Sequence, residues 1–289
     1  MKSMNRPSKV AMALASLAIL GGCATAGSMG DGAVPEGAKY VAMGSSFAAG
    51  AGIGPTKPGT PERCGRTVNN YASLLAEKLD LALNDQGCGG AKTEHLLAPW
   101  DELPAQIDAV DSATRLVTIT VGGNDLNYIG NLFMASCENG RVIKAGEREI
   151  TCVSPQAPSE EGYAEVQAAL ENLARRVKEK APEARVIFVQ YVALVPDELC
   201  PAVAISEADA DLTREIGLRL AEVTRRAAQA TESLLLPADE MSADHTACDP
   251  ASWSNATTKD RSDGAPWHPN ALGHRSIADA LAVMLTSAG

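Results

Sequence analysis

Apolar positions along the chain follow two alternating rhythms. Apolar or β-branched runs occur at residues 40–43, 81–83, 116–121 and 234–236, and Val186, Ile187, Phe188 and Val189 form a continuous one within 185–192; the first and third stop at glycines. Runs of this kind suit strands buried on both faces of a parallel sheet, because a half-exposed strand would alternate with polar residues. Between the runs, apolar residues recur every three or four positions. Tyr71, Leu74, Leu75 and Leu79 predict one helix, with Asn69 or Asn70 as its N-cap, and Leu103, Ile107 and Val110 predict a short one. Longer stripes run through Tyr163, Val166, Leu170, Leu173 and Val177, and through Leu212, Ile216, Leu220, Val223 and Ala227. A last helix is expected from near Pro269, through Leu281, to about Thr286. Strands alternating with helices predict one α/β domain with a sheet covered on both sides. Residues 133–158 and 239–262 break the rhythm and read as long insertions rich in turn residues.

The N-terminus changes the picture of where this domain works. Lys2, Arg6 and Lys9 precede an apolar stretch at 10–20, too short to span a bilayer comfortably, that ends in Leu20-Gly21-Gly22-Cys23. This resembles a bacterial lipobox, with residues 1–22 as signal peptide and lipid on Cys23; an ordinary secretory signal cut nearby, for example after Ala26, is the alternative. Residues 23–37 read as a flexible tether and 38–289 as the domain. Beyond Cys23 there are six cysteines, Cys64, Cys88, Cys137, Cys152, Cys200 and Cys248. An even number in an exported chain suggests three disulfides, for which 15 pairings are possible. No C-x-x-C occurs, so neither a metal site nor a cofactor is expected. The net charge of −11, without a basic block, argues against a nucleic-acid partner, and 4% aromatic residues argue against a broad polysaccharide platform.

Three segments at the edges of predicted elements carry chemistry: YVAMGSSFAAG, just past a strand, which contains Ser45 and Ser46; VTITVGGND, just past another, with Asn124 and Asp125; and DGAPWHPNALGH, where a loop enters a helix, with His268 and His274. With CGGAKT, which contains Gly90, they resemble the motif blocks of the SGNH/GDSL hydrolase family of esterases and lipases, in its secreted, disulfide-containing branch. The resemblance covers nearly all of the chain from about Tyr40. It implies a single-domain three-layer α/β/α sandwich with a mainly parallel, flavodoxin-like five-stranded sheet. It also implies sequential disulfides, Cys64–Cys88, Cys137–Cys152 and Cys200–Cys248. Two positions depart from the family pattern: Ser45 stands where it usually has aspartate, and Ala265 where an aspartate usually precedes the histidine by three residues.

Ester cleavage needs a nucleophile, a base and donors for the oxyanion. Ser46 is the expected nucleophile, with Ser45 its rival, and His268 is the expected base. The oxyanion hole is expected from the Ser46 and Gly90 backbone N–H groups and the Asn124 side-chain amide. More ordinary readings of the same residues are a helix cap for Ser46, a turn glycine for Gly90 and a turn-stabilising side chain for Asn124. Asp125 reads as a loop brace, His274 as a structural hydrogen-bonding residue, and Trp253 and Trp267 as either acyl-pocket wall or core. The group that orients His268 stays open between a backbone carbonyl near Ala265, giving a Ser–His dyad, and Asp263 as a triad acid. The expected activity is extracytoplasmic hydrolysis of small-molecule or lipid acyl esters by a monomer that meets the membrane only through its lipid anchor. The alternatives are a polysaccharide O-deacetylase or acyltransferase, and a catalytically silent ligand-binding envelope lipoprotein.

Overall fold

Strands form where the apolar runs lie: β1 (Lys39–Gly44), β2 (Ala82–Asp85), β3 (Thr114–Thr120), β6 (Arg185–Val189) and β7 (Leu234–Leu236), with a separate hairpin of β4 (Val142–Ala145) and β5 (Arg148–Thr151). The computed structural model describes Met1 and residues 34–145, 148–257 and 263–287. The expected signal peptide, Cys23 and most of the tether lie outside the described residues. The helices are α1 (Ser46–Ala49), α2 (Tyr71–Leu79), α3 (Thr93–Leu97), α4 (Tyr128–Ala135), α5 (Glu160–Lys180), α6 (Glu207–Ala230), α7 (Ala238–Met241) and α8 (Ala271–Thr286).

The main sheet is parallel throughout, in the order β2-β1-β3-β6-β7. Its strands therefore run second, first, third, fourth, fifth, the flavodoxin-like order, and the winding direction reverses between β1 and β3. Helices α2 and α8 pack together as one layer, while α3, α4, α5 and α6 pack together as the other. The stripe Tyr163, Val166, Leu170, Leu173 and Val177 is the buried face of α5, and Ile216, Leu220, Val223 and Ala227 belong to that of α6. Two buried hydroxyl pairs join the strands to their surroundings: Tyr40 with Thr118 at 2.7 Å, and Tyr71 with Thr120 at 2.9 Å. Asn70 caps α2 by accepting from Ser73 N at 2.8 Å.

Four expectations need correction. Residues 103–110 hold only a 3₁₀ turn at Gln106–Ala109; Pro104 disfavours helix at Leu103, which pairs its backbone with Trp100 instead. The fourth sheet strand ends at Val189 rather than Val192, after which Gln190 turns its side-chain amide to the Ala221 carbonyl in α6. Pro269 precedes α8 instead of opening it, because Asn270 is the N-cap and accepts from Gly273 N at 2.9 Å. The stretch 133–158 contains the end of α4 and the β4–β5 hairpin, and α7 opens beside the second insertion; both lack the long apolar stripe that would reveal them.

The cysteines pair sequentially, as Cys64–Cys88, Cys137–Cys152 and Cys200–Cys248. The last of them closes 48 residues of chain, the longest span of the three, with α6 inside it. Replacing both Cys200 and Cys248 by serine should therefore cost about 2–4 kcal/mol in denaturant unfolding. An unchanged unfolding midpoint would show that the bridge does not constrain the unfolded chain.

Candidate active site

The turn at Ser45 and Ser46 starts from a backbone collision that only glycine avoids. Gly44, the last residue of β1, has φ +145°, and a Cβ there would run into the Thr120 carbonyl oxygen at the end of β3. The chain then turns sharply, with Ser45 N donating to Thr120 O at 2.9 Å. Helix α1 begins at Ser46, whose half-buried side chain faces away from the core. Ser45 points the other way, fully buried, with its Oγ 2.8 Å from the Tyr191 hydroxyl.

His268 reaches the same place from a loop 222 residues further on, its Nε2 2.8 Å from Ser46 Oγ. Its Nδ1 lies 2.7 Å from the Pro266 carbonyl oxygen. A carbonyl only accepts, so Nδ1 carries the proton and Nε2 presents its lone pair to the Ser46 hydroxyl. Burial pushes the imidazole pKa down, and the Pro266 carbonyl partly offsets this by stabilising the charged form. The loop is pinned around the ring. Trp267 is fully buried at φ +56° and donates its indole N–H to Ser136 Oγ at 2.9 Å, and Asn255 N donates to His268 O at 3.0 Å.

Of the two candidate orienting groups, the carbonyl stands at Nδ1, although it belongs to Pro266 rather than Ala265. Asp263 has no ring nitrogen left to bind, and its backbone carbonyl accepts from Ala271 N at 3.2 Å. A backbone acceptor leaves no mark in the residue types, so sequence reasoning could only bracket its position.

The oxyanion candidates lie on adjoining loops. The turn at 88–91 is tied by Cys88 N to Gly44 O at 3.0 Å and by Ala91 N to Cys88 O at 3.1 Å. Gly90, exposed and at φ +79°, has a backbone N–H without an acceptor among the described residues, as does Ser46. Asn124 donates one amide hydrogen to Ala91 O at 2.9 Å, which leaves the other uncommitted. Asp125 braces this arrangement by accepting from Thr93 N at 3.1 Å and from Thr93 Oγ1 at 2.6 Å; burial raises its pKa, while the Thr93 bonds oppose the shift.

The remaining histidines stand apart from this chemistry. His274 is fully buried, accepts from Tyr71 N at 3.1 Å and is held neutral by burial, its pKa lowered to about 3. His95 stacks on Trp100 and His245 on Trp253. A cavity of about 190 Å³ is lined by Cys88, His95, Trp100 and Gln106, and another of about 290 Å³ by Tyr128, Tyr191, Leu194 and Leu218. Trp253 and Trp267 line neither and belong to the core. Tyr191 escaped sequence reasoning altogether. In the sequence it is one more apolar position inside the strand expected to reach Val192.

The profile of the GDSL-like lipase/acylhydrolase family matches residues 42–276, from before Ser46 to beyond His268. The chain belongs to that family. A Streptomyces coelicolor relative named Lipase 2 is 31% identical over 249 residues, 83% of each chain. Among solved structures, an extracellular lipase from Streptomyces rimosus superposes with a TM-score of 0.66 at 23% identity, covering 87% of this chain and all of that one. Phospholipase A1 from Streptomyces albidoflavus gives 0.65 at 22% identity, covering 86% and 98%. These two likenesses show that the α/β fold of this GDSL-family member is shared.

Two substitutions probe the geometry. Asn124→Ala should lower kcat by about 10²–10³, the cost of one oxyanion donor, with a smaller change in KM. Asp263→Asn should cost less than about tenfold in kcat, whereas loss of a true triad carboxylate costs several orders of magnitude. Steady-state kinetics on the two variants separates these outcomes.

Proposed function

We propose that this chain is an extracytoplasmic serine carboxylic-ester hydrolase that works through a Ser46–His268 dyad and an acyl-enzyme. Ser46 Oγ attacks the acyl carbonyl carbon while its proton passes to His268 Nε2. The carbonyl oxygen becomes an oxyanion received by the Ser46 and Gly90 N–H groups and the free Asn124 amide hydrogen. The imidazolium, held at Nδ1 by the Pro266 carbonyl, gives its proton to the departing alkoxide. Water, deprotonated by the same Nε2, then releases the acid and restores Ser46. The observation that carries this reading is the line from Ser46 Oγ through the His268 ring to the Pro266 carbonyl.

Three disulfides support a working place outside the reducing cytoplasm. The basic start, apolar stretch and Cys23 support export with a lipid anchor on Cys23, which would hold the domain beside acyl-ester lipids. The names of the relatives, lipases and an esterase among them, support the same substrate class.

Chromogenic esters of increasing chain length, tested with wild type, Ser46→Ala and Ser45→Ala, examine the assignment. Ser46→Ala should abolish turnover and Ser45→Ala should retain measurable activity; the reverse pattern would move the nucleophile to Ser45. The base must be neutral to act, and burial lowers the pKa of His268. Activity should therefore persist below the ordinary histidine pKa of about 6.5 and fall only on further acidification. An acid limb of kcat/KM centred above pH 7 would contradict a buried, carbonyl-paired base.

A further inference from the structure

The hydroxyl of Tyr191 sits where two site loops meet. It lies 2.8 Å from Ser45 Oγ, next to the nucleophile, and accepts from Gly123 N at 3.2 Å, next to Asn124. The contact is close on the ring as well: a Cβ at Gly123 would fall 2.7 Å from Tyr191 Cε1. Tyr191 is buried, and burial raises its pKa, so the hydroxyl remains protonated and neutral. Its ring packs on Phe47 at 4.2 Å between centroids, and Phe47 packs in turn on the His268 ring at 5.0 Å.

We infer that Tyr191 is a positioning residue for the ester-hydrolase reading above, its hydroxyl setting the spacing between the nucleophile turn and the Asn124 amide. Pairing of β1 with β3 ends at Gly44 and Thr120, with Ser45 N bonded to Thr120 O, and the chain from Val121 to Asn124 runs on beyond that last tie. The Tyr191 hydroxyl, bonded to the residue before each group, extends the tie to the loop that carries Asn124. The position usually held by aspartate carries Ser45 here, and serine is short enough to leave room for the tyrosine hydroxyl. Small errors in such spacing cost large factors in rate, because oxyanion donors act only when aimed at the developing charge.

The experiment is a double-mutant cycle on a soluble chromogenic ester. Tyr191→Phe keeps the ring packing and removes only the hydroxyl. It should lower kcat by about tenfold or more with KM within about twofold. In an Asn124→Ala background the same change should cost less than about twofold, because the group being positioned is already gone. Equal losses in both backgrounds, or an unchanged kcat in Tyr191→Phe, would overturn the proposal. Ser45→Ala breaks the other bond to the same hydroxyl and is the second variant should Tyr191→Phe fold poorly; its kcat loss should likewise shrink in the Asn124→Ala background. Ser46→Ala is run alongside. Full activity in that variant would overturn the Ser46 assignment on which the inference rests, an outcome distinct from failure of the tyrosine inference.

Discussion

The close approach of Gly44 to the Thr120 carbonyl is the contact on which the site depends. Strands β1 and β3 are neighbours at the point where the winding of the sheet reverses, and loops leaving opposite ways open a crevice there. The two strands must nevertheless come together backbone to backbone at their ends, so that Ser45 N reaches Thr120 O. Any side chain at Gly44 would force them apart, and Ser46 would move away from the loop that carries Asn124. Gln106 secures the same glycine from below, accepting from Gly44 N at 2.7 Å and donating to Gly44 O at 3.0 Å. The geometry of the candidate site is thus set first by main chain and only then by side chains.

Around that contact the structure adds braces of different chemistry. Asp85, nearly buried at the end of β2, accepts from Lys57 Nζ, Asn70 Nδ2 and Gly87 N, and so joins the 55–70 segment to the approach to Gly90. A buried carboxylate is tolerable only when its oxygens are satisfied in this way. The Cys64–Cys88 bridge fastens the same two segments covalently. Asp125 and Thr93 then connect the far side of that turn to the loop after β3. The Ser46 and Gly90 N–H groups take no part in these bonds, and Asn124 commits only one of its two amide hydrogens.

How much of this was legible in the residues depended on where the information lay. The sheet strands and the long helices announced themselves through buried runs and three–four spacing, since tertiary burial and local pattern agree there. Ser46, Gly90, Asn124 and His268 stood out as candidates because each sits in a short motif at a predicted strand end or helix start. The hairpin at 142–151 was silent: its strands are only four residues long, and they pair apart from the main sheet. The Pro266 carbonyl was silent for a different reason, since every residue has one. Tyr191 reads locally as one more apolar residue of an expected strand, and only the fold brings its hydroxyl between Ser45 and Gly123.

The Pro266 carbonyl also explains why the loop before α8 is built so firmly. A carboxylate on a separate side chain can orient an imidazole even if the backbone beside it shifts slightly. A carbonyl two residues upstream of the same histidine cannot, because the bond exists only for one conformation of residues 266–268. That conformation includes Trp267 at φ +56°, an uncommon state for a bulky residue that persists only where the surroundings over-determine it. They do so here, through complete burial of the indole, its bond to Ser136 and the pairing of Trp267 N with Asn255 O. Ser136 adjoins Cys137, so the disulfide-closed insertion at 137–152 borders the residue that holds the histidine loop. Rigidity of the loop keeps the Pro266 carbonyl at the imidazole nitrogen, and an insertion that looked accessory in the sequence adjoins the anchor of that rigidity.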